Sequence, residues 1–171
     1  MTGNTQRPLH PPHRGGAVKV GPYTVYAGGA RDLAPEDFDE FDVLVPLTER
    51  LPEFVFGDIV LLSVLPDFGG VPDDWQDHLE DRVIPLLEWC NATDRKMLAF
   101  CTASHGRTGT FLASLIALLE SEEETPDPIA AVRERHCSHA VETKAQAEGI
   151  FALRGQKVPE KYLTGPDAFH R

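Results

Sequence analysis

Basic residues are scarce in this chain, cysteines are few, and long apolar runs are missing. Sixteen lysines and arginines stand against 27 acidic residues, which leaves a formal net charge of −11. This charge repels nucleic acid and anionic lipid surfaces, so we expect neither nucleic acid nor a membrane as a partner. No run is long enough to span a bilayer, and the start shows no apolar secretory segment. The chain has three cysteines, an odd number. Together with the missing secretory and membrane-spanning segments, this predicts a cytoplasmic protein.

The domain organisation follows from length and from the distribution of proline and glycine. A chain of 171 residues fits one domain with a core of ordinary size, and no internal repeat divides it. Residues 1–16 hold several prolines and glycines and little apolar surface, so we predict a flexible arm there. The folded domain is predicted over 17–154, and a loose tail over 155–171.

The apolar pattern predicts alternating strands and helices. Short apolar runs predict strands at 17–20, 23–27, 43–47, 58–65 and 96–100. Helical spacing predicts helices at 35–41, 73–91, 128–135 and 141–153, and a buried helix from Thr108 onward. Pro85 lies inside the second of these helices, where we expect a kink or a break. This alternation predicts a single α/β domain with a mostly parallel central sheet flanked by helices.

A tight loop joins the strand at 96–100 to the buried helix, and it carries the chemistry. Cys101 opens the loop and Arg107 closes it, with five residues between them; residues 101–107 are called the Cys-Arg loop below. Helix N-terminal N–H groups and the helix dipole make such a loop an anion site, which favours a cysteine thiolate. The guanidinium of Arg107 matches two oxygens of a phosphoryl group. Gly106 allows close approach of the backbone, and Thr108 places a hydroxyl within reach of the sulfur.

The pattern Cys-x5-Arg-Ser/Thr, formed here by Cys101, Arg107 and Thr108, resembles the signature of the cysteine-based protein tyrosine phosphatases, and the chain length resembles their small dual-specificity members. The resemblance implies a phosphatase-type fold and hydrolysis of phosphorylated protein through a phosphocysteine intermediate. It also implies a monomer without cofactor or metal, in which Cys101 attacks phosphorus and Thr108 eases departure of the thiolate. Phosphate oxygens would then be bound by Thr102, Ala103, Ser104, His105, Gly106 and Arg107.

Asp67 is the predicted general acid and base. Such a phosphatase needs an acid to protonate the leaving oxygen and then to activate water against the phosphocysteine. Asp67 follows the strand at 58–65, in a loop whose two glycines permit motion, and this arrangement resembles the family's movable acid loop. Asp73 and Asp74 are the alternatives, but they fit better as the cap and first turn of the next helix.

Two positions depart from the family pattern. Phe100 stands where the family usually has a histidine, and loss of its hydrogen bonds predicts weaker activity. Ser104 stands where glycine is frequent, and serine is tolerated there if its backbone angles are ordinary. His105 has two open interpretations, a residue that steers substrate or a solvent-facing loop residue.

Residues 142–146, Glu-Thr-Lys-Ala-Gln, resemble the Glu-Thr-x-x-Gln segment of some family members. Gln146 is therefore a candidate for positioning water in the second step, with an exposed helix glutamine as the alternative interpretation. As in some relatives, Cys90 or Cys137 is a candidate for a protective disulfide with Cys101, although buried packing is simpler for Cys90.

Other functions remain open at this stage. Phe100 motivates a catalytically silent module that binds phosphate and recognises phosphorylated partners. A sulfurtransferase or an arsenate reductase also uses a reactive cysteine in an anion loop. Cys101 and His105 have the spacing of a metal pair, but two ligands do not make a zinc site, and His10 and His13 fit a disordered arm better than a metal site. We therefore predict no metal.

Overall fold

A five-stranded mixed sheet organises the fold, in the order β1-β2-β5-β3-β4. The structure is a computed structural model that describes residues 11–51 and 59–163. The first two strands are antiparallel, and the other neighbouring pairs are parallel. This confirms the predicted α/β class and the mostly parallel sheet. The strands are β1 (Arg14–Val20), β2 (Tyr23–Gly29), β3 (Val43–Pro46), β4 (Ile59–Val60) and β5 (Met97–Cys101).

Strand β5 lies in the middle of the sheet and delivers Cys101 to its carboxyl end. All five of its residues are buried, which explains its continuous apolar sequence. It pairs with β2 up to the pair Gly29 and Cys101, and with β3 up to the pair Pro46 and Phe100. The Cys-Arg loop therefore starts where three parallel strands end, which is the usual ligand-binding edge of such a sheet.

The prediction for 58–65 was wrong in extent and in burial. Residue 58 lies outside the described residues, and β4 comprises only Ile59–Val60. It is an edge strand, not a strand covered on both faces, and the side chain of Leu62 beyond it is 54% exposed. The N–H groups of residues 61, 63 and 65 still donate to carbonyls of residues 44, 46 and 47, so the chain continues along β3 to the loop that contains Asp67.

The helices are α1 (Trp75–His78), α2 (Ile84–Ala92), α3 (Gly106–Leu119), α4 (Pro128–Arg135) and α5 (Lys144–Ala152). A π-helical turn, Leu79–Val83, joins α1 to α2, and the N–H of Ile84 donates to the carbonyl of Leu79. Pro85 has no N–H to donate, so the break expected at this proline appears as the wider turn before it. The short helix predicted at 35–41 is a 3-10 helix, Pro35–Glu40.

Helix α3 packs in the core, as predicted for a buried helix. Its buried residues are Gly106 and residues 108–117. It begins at Gly106, two residues before the predicted start. Asp127 caps α4 by accepting hydrogen bonds from the N–H groups of residues 129 and 130. Within the described part of the chain, no helix combines the length and the apolar character that crossing a membrane requires.

Both ends of the described chain differ from the prediction. Strand β1 starts at Arg14, inside the range expected to be a flexible arm, while residues 1–10 lie outside the described residues. The range expected to be a loose tail contains the 3-10 helix Glu160–Tyr162. The Tyr162 side chain is buried and its hydroxyl donates to Oδ2 of Asp127 at 2.7 Å. The buried Tyr162 side chain therefore extends the core past the predicted C-terminal boundary, whereas at the other end it is the backbone pairing of β1 that starts early.

Candidate active site

The sulfur of Cys101 sits at the base of the Cys-Arg loop, where two groups donate to it. The hydroxyl of Thr108 donates to Sγ at 3.0 Å, as its position at the start of α3 predicts, and the N–H of Ser104 donates at 3.2 Å. Cys101 is 3% exposed, so both interactions form in a dry environment. The two donors hold the sulfur at the base of the loop.

Arg107 and Asp67 face each other across the mouth of the loop. Nε of Arg107 lies 3.8 Å from Oδ1 of Asp67, and Nη2 of Arg107 contacts Oγ1 of Thr102 at 3.4 Å. The Arg107 side chain is 14% exposed and that of Asp67 is 59% exposed, so the acid stands at the rim. Asp73 and Asp74, the alternative acids, lie before α1 and do not line the pocket around the sulfur.

A pocket of about 240 Å³ opens above the sulfur. Its wall contains most of the residues predicted to bind phosphate; Ser104 is the exception, because its side chain lies behind the loop. Phe68 and Glu142, which were not predicted as site residues, complete the wall. The lining residues are Asp67, Phe68, Cys101, Thr102, Ala103, His105, Gly106, Arg107 and Glu142.

Ser104 does not meet the condition of ordinary backbone angles under which a serine is tolerated at this position. Its φ is +65°, in the left-handed region that favours glycine. His136, directly after α4, lies against it: Nε2 of His136 is 2.8 Å from the Ser104 carbonyl oxygen and 3.2 Å from its hydroxyl. In this conformation the Ser104 N–H points at the sulfur, so a strained residue supplies one of the two donors.

A second strained residue places Glu142 in the pocket. Val141 has a φ of +65°, which is rare for a β-branched residue. Arg133 holds this turn by donating to the carbonyls of Ala140 and Val141 at 2.9 and 3.1 Å. The turn was predicted to be the start of the last helix, which instead begins at Lys144. The resemblance of residues 142–146 to the family segment was the one sequence signal that could have indicated Glu142.

The glycines of α3 let this turn approach the loop. A Cβ on Gly109 would lie 2.6 Å from the backbone nitrogen of Val141, and a Cβ on Gly106 would collide with the carboxylate of Glu142. Gly106 was expected to give a ligand access to the backbone. It lines the pocket, but its missing side chain also makes room for Glu142, which brings a second carboxylate beside the anion site.

Gln146 is buried, which excludes the exposed helix glutamine considered above. Its Oε1 accepts hydrogen bonds from the N–H groups of Glu142 and Thr143 at 2.7 and 3.2 Å, and Thr143 caps α5 in return. The Nε2 of Gln146 would lie 3.3 Å from a Cβ on Gly106, so its amide faces the start of α3. Gln146 therefore fixes the position of Glu142 and keeps one polar group directed at the loop.

Phe100 belongs to a separate apolar cluster and not to the loop. Its side chain is fully buried and packs edge-on against Phe38 of the 3-10 helix, with ring centroids 5.3 Å apart. The other members of this cluster are all apolar: Leu33, Phe41, Leu44 and Leu98. A histidine at this position would therefore have apolar neighbours, and the donors to Cys101 come instead from Ser104 and Thr108.

None of the three cysteines is in a disulfide, so Cys101 is not joined to either candidate partner. Cys90 is fully buried in α2, and burial raises its pKa to about 11. It is a packing residue, as the simpler interpretation proposed. Cys137 is also buried, but it lies near His13 and His105.

Solved structures of phosphatases share this fold. Tk-PTP in its active form has a TM-score of 0.61 at 24% identity, over 82% of this chain and 97% of that chain. The kinase associated phosphatase with its catalytic cysteine replaced by serine has a TM-score of 0.64 at 16% identity, over 85% and 96%. Human DUSP28 has a TM-score of 0.60 at 15% identity, over 85% and 95%.

Sequence comparison alone is less informative. No family model matches the chain. Two uncharacterized proteins of Methanocaldococcus jannaschii are 35% and 37% identical to it over 71 residues, which is 42% of this chain. The matched part covers 42% and 46% of those two proteins, less than half of their length. The fold, with the Cys-x5-Arg loop at the carboxyl end of its central strand, is the fold of these solved phosphatases.

Proposed function

We propose that the protein is a protein tyrosine or dual-specificity phosphatase that acts through a phosphocysteine intermediate. The observation that carries the proposal is the sulfur of Cys101, which receives two hydrogen bonds at the base of a pocket with Arg107 and Asp67 at its mouth. A phosphatase needs a nucleophile, oxyanion donors and a proton donor around one phosphoryl group, and these residue types meet here.

In the first step the Cys101 thiolate attacks phosphorus and the bond to the leaving oxygen breaks. Arg107 and the N–H groups of the Cys-Arg loop bind the phosphoryl oxygens, and Asp67 gives its proton to the leaving oxygen. In the second step Asp67 takes a proton from water, which attacks the phosphocysteine and releases phosphate. Thr108 donates to the departing thiolate, and Gln146, whose amide faces the loop, helps to place the water.

A phosphorylated protein is the proposed substrate, with phosphotyrosine preferred. The sulfur is almost fully buried, so a phosphoryl group must enter the pocket deeply to reach it. The Phe68 side chain is 55% exposed on the pocket wall, where its ring can stack on an aromatic leaving group. A neighbouring cavity of about 420 Å³, which shares Asp67 and Arg107 with the pocket, offers space for flanking residues of a peptide. We propose a cytoplasmic location, consistent with three free cysteines.

Asp67→Asn tests the acid. We expect kcat for a phosphotyrosine peptide to fall about a hundredfold, because tyrosine is a poor leaving group without a proton donor. With p-nitrophenyl phosphate, whose leaving group needs little protonation, the loss should be smaller. Steady-state kinetics on the two substrates measure both losses. Asp73→Asn is the matched control and should keep full activity; equal losses on the two substrates would contradict the acid role, since loss of the Arg107 ion pair alone affects both alike.

Phe68→Ala tests the substrate preference. We expect kcat/KM for a phosphotyrosine peptide to fall roughly three- to tenfold, which is the value of one aromatic contact, while a phosphoserine peptide of the same sequence is unaffected. Parallel phosphate-release assays on the two peptides measure the ratio. Leu62→Ala, which removes another exposed apolar side chain away from the pocket, should leave both rates unchanged. An equal loss on both peptides would mean that Phe68 shapes the loop and does not read the ring.

A further inference from the structure

Three potential metal ligands from distant parts of the chain meet behind the Cys-Arg loop. His13 directly precedes β1, His105 is in the loop at the start of α3, and Cys137 follows α4. One ligand atom from each side chain lies within 4.8 Å of the others. Cys137 is 5% exposed and both histidines are partly buried. This arrangement was not expected from the sequence, where His13 was assigned to a disordered arm.

The chemistry of these side chains is that of a zinc site. Two imidazoles and one thiolate are ligands that zinc prefers, at about 2.0–2.1 Å for nitrogen and 2.3 Å for sulfur. In a tetrahedral site these bonds separate ligand atoms by about 3.3–3.6 Å. The three atoms, now within 4.8 Å of one another, therefore need to close by at most about 1.2–1.5 Å, a distance that rotation of the side chains supplies.

His139 is our candidate for the fourth ligand, next to the three side chains whose ligand atoms already lie together. Its ring centroid lies 5.3 Å from that of His105, and it is exposed, so its ring can turn without disturbing the core. Its backbone N–H donates to Sγ of Cys137 at 3.4 Å, which orients the sulfur. His136 is also close, with its ring centroid 4.8 Å from that of His13, but its Nε2 contacts Ser104.

We infer that His13, His105, Cys137 and His139 form a structural zinc site that holds the Cys-Arg loop from behind. The His13 backbone is already fixed, because its N–H donates to Asp32 and its carbonyl accepts from Gly29. Zinc would therefore tie the start of β1 and the α4–α5 connection to His105. The catalytic sulfur is not part of this group: Cys101 Sγ accepts from the N–H of Ser104 and the hydroxyl of Thr108.

Cobalt(II) binding tests the site independently of any phosphatase activity. The untagged, chelator-treated chain should bind one cobalt ion with a thiolate-to-metal charge-transfer band and the visible spectrum of a tetrahedral site, and zinc should displace it. Cys137→Ala should abolish the thiolate band and weaken zinc binding about a hundredfold or more. Cys101→Ser and Cys90→Ala are the matched controls and should keep the band.

Zinc should also raise the Tm of the wild type and of the two control variants, but not that of Cys137→Ala. Circular dichroism shows whether that variant is folded; if it is not, His13→Ala, which alters a residue at the edge of the fold, takes its place and should likewise lose the zinc-dependent rise in Tm. A band that survives Cys137→Ala, a band lost in Cys101→Ser, or the absence of stoichiometric binding would each overturn the inference.

Discussion

Cys101→Ser is expected to abolish hydrolysis of phosphotyrosine peptides, by about 10⁴-fold or more, while the protein still binds them. A serine hydroxyl is not ionised near neutral pH and cannot attack phosphorus as a thiolate does. The donors of the loop, Ser104 N–H and Thr108 hydroxyl, remain in place, and so does Arg107. Rapid-quench kinetics measure the rate, and calorimetry with a phosphopeptide measures the binding.

Cys90→Ala is the control for this variant, because it removes a buried thiol from α2 without touching the pocket. It should retain full turnover. If Cys101→Ser hydrolysed the peptide at the wild-type rate, Cys101 would not be the nucleophile. An inert wild type, combined with peptide binding by Cys101→Ser, would instead identify the chain as a phosphate-binding module that recognises phosphorylated partners.

Arg107→Lys is expected to lower kcat/KM about a thousandfold, although the charge is preserved. The guanidinium presents two parallel N–H groups to two oxygens, and an ammonium cannot reproduce that fork. Nη2 of Arg107 also contacts Thr102, and its Nε lies near Asp67. The planar guanidinium therefore helps to position these two side chains of the pocket. Steady-state kinetics on p-nitrophenyl phosphate and inhibition by inorganic phosphate measure the loss.

Arg95→Lys is the matched control, since it makes the same exchange on the Trp89 ring, away from the pocket. It should be fully active. If Arg107→Lys retained more than a tenth of the wild-type kcat/KM, with unchanged inhibition by phosphate, bidentate binding of the phosphoryl group would be wrong.

The central part of the fold could be predicted because its signals are local. A short apolar strand, a loop and a long apolar helix follow one another directly, and Cys101, Arg107 and Thr108 all lie within this one unit. The contact of Thr108 with the sulfur follows from helix geometry alone. Interactions between residues of one loop depend on one short stretch of sequence, so that stretch is enough to predict them.

The missed features depend on contacts between distant segments. The extent of β4 is limited because it lies at the sheet edge, a fact that its apolar sequence does not reveal. Val141 adopts a left-handed conformation only because Arg133 and the glycines of α3 hold its turn. The group of His13, His105 and Cys137 assembles only when β1, α3 and α4 are packed together.

The left-handed backbone of Ser104 has a consequence for how sequences of this fold can change. A residue with a Cβ costs about 1–2 kcal/mol more than glycine in this region, and here His136 offsets the cost by contacting both the hydroxyl and the carbonyl of Ser104. Positions 104 and 136 should therefore vary as a pair during evolution: a chain with glycine at 104 is free to lose the histidine at 136, whereas one with serine must keep it.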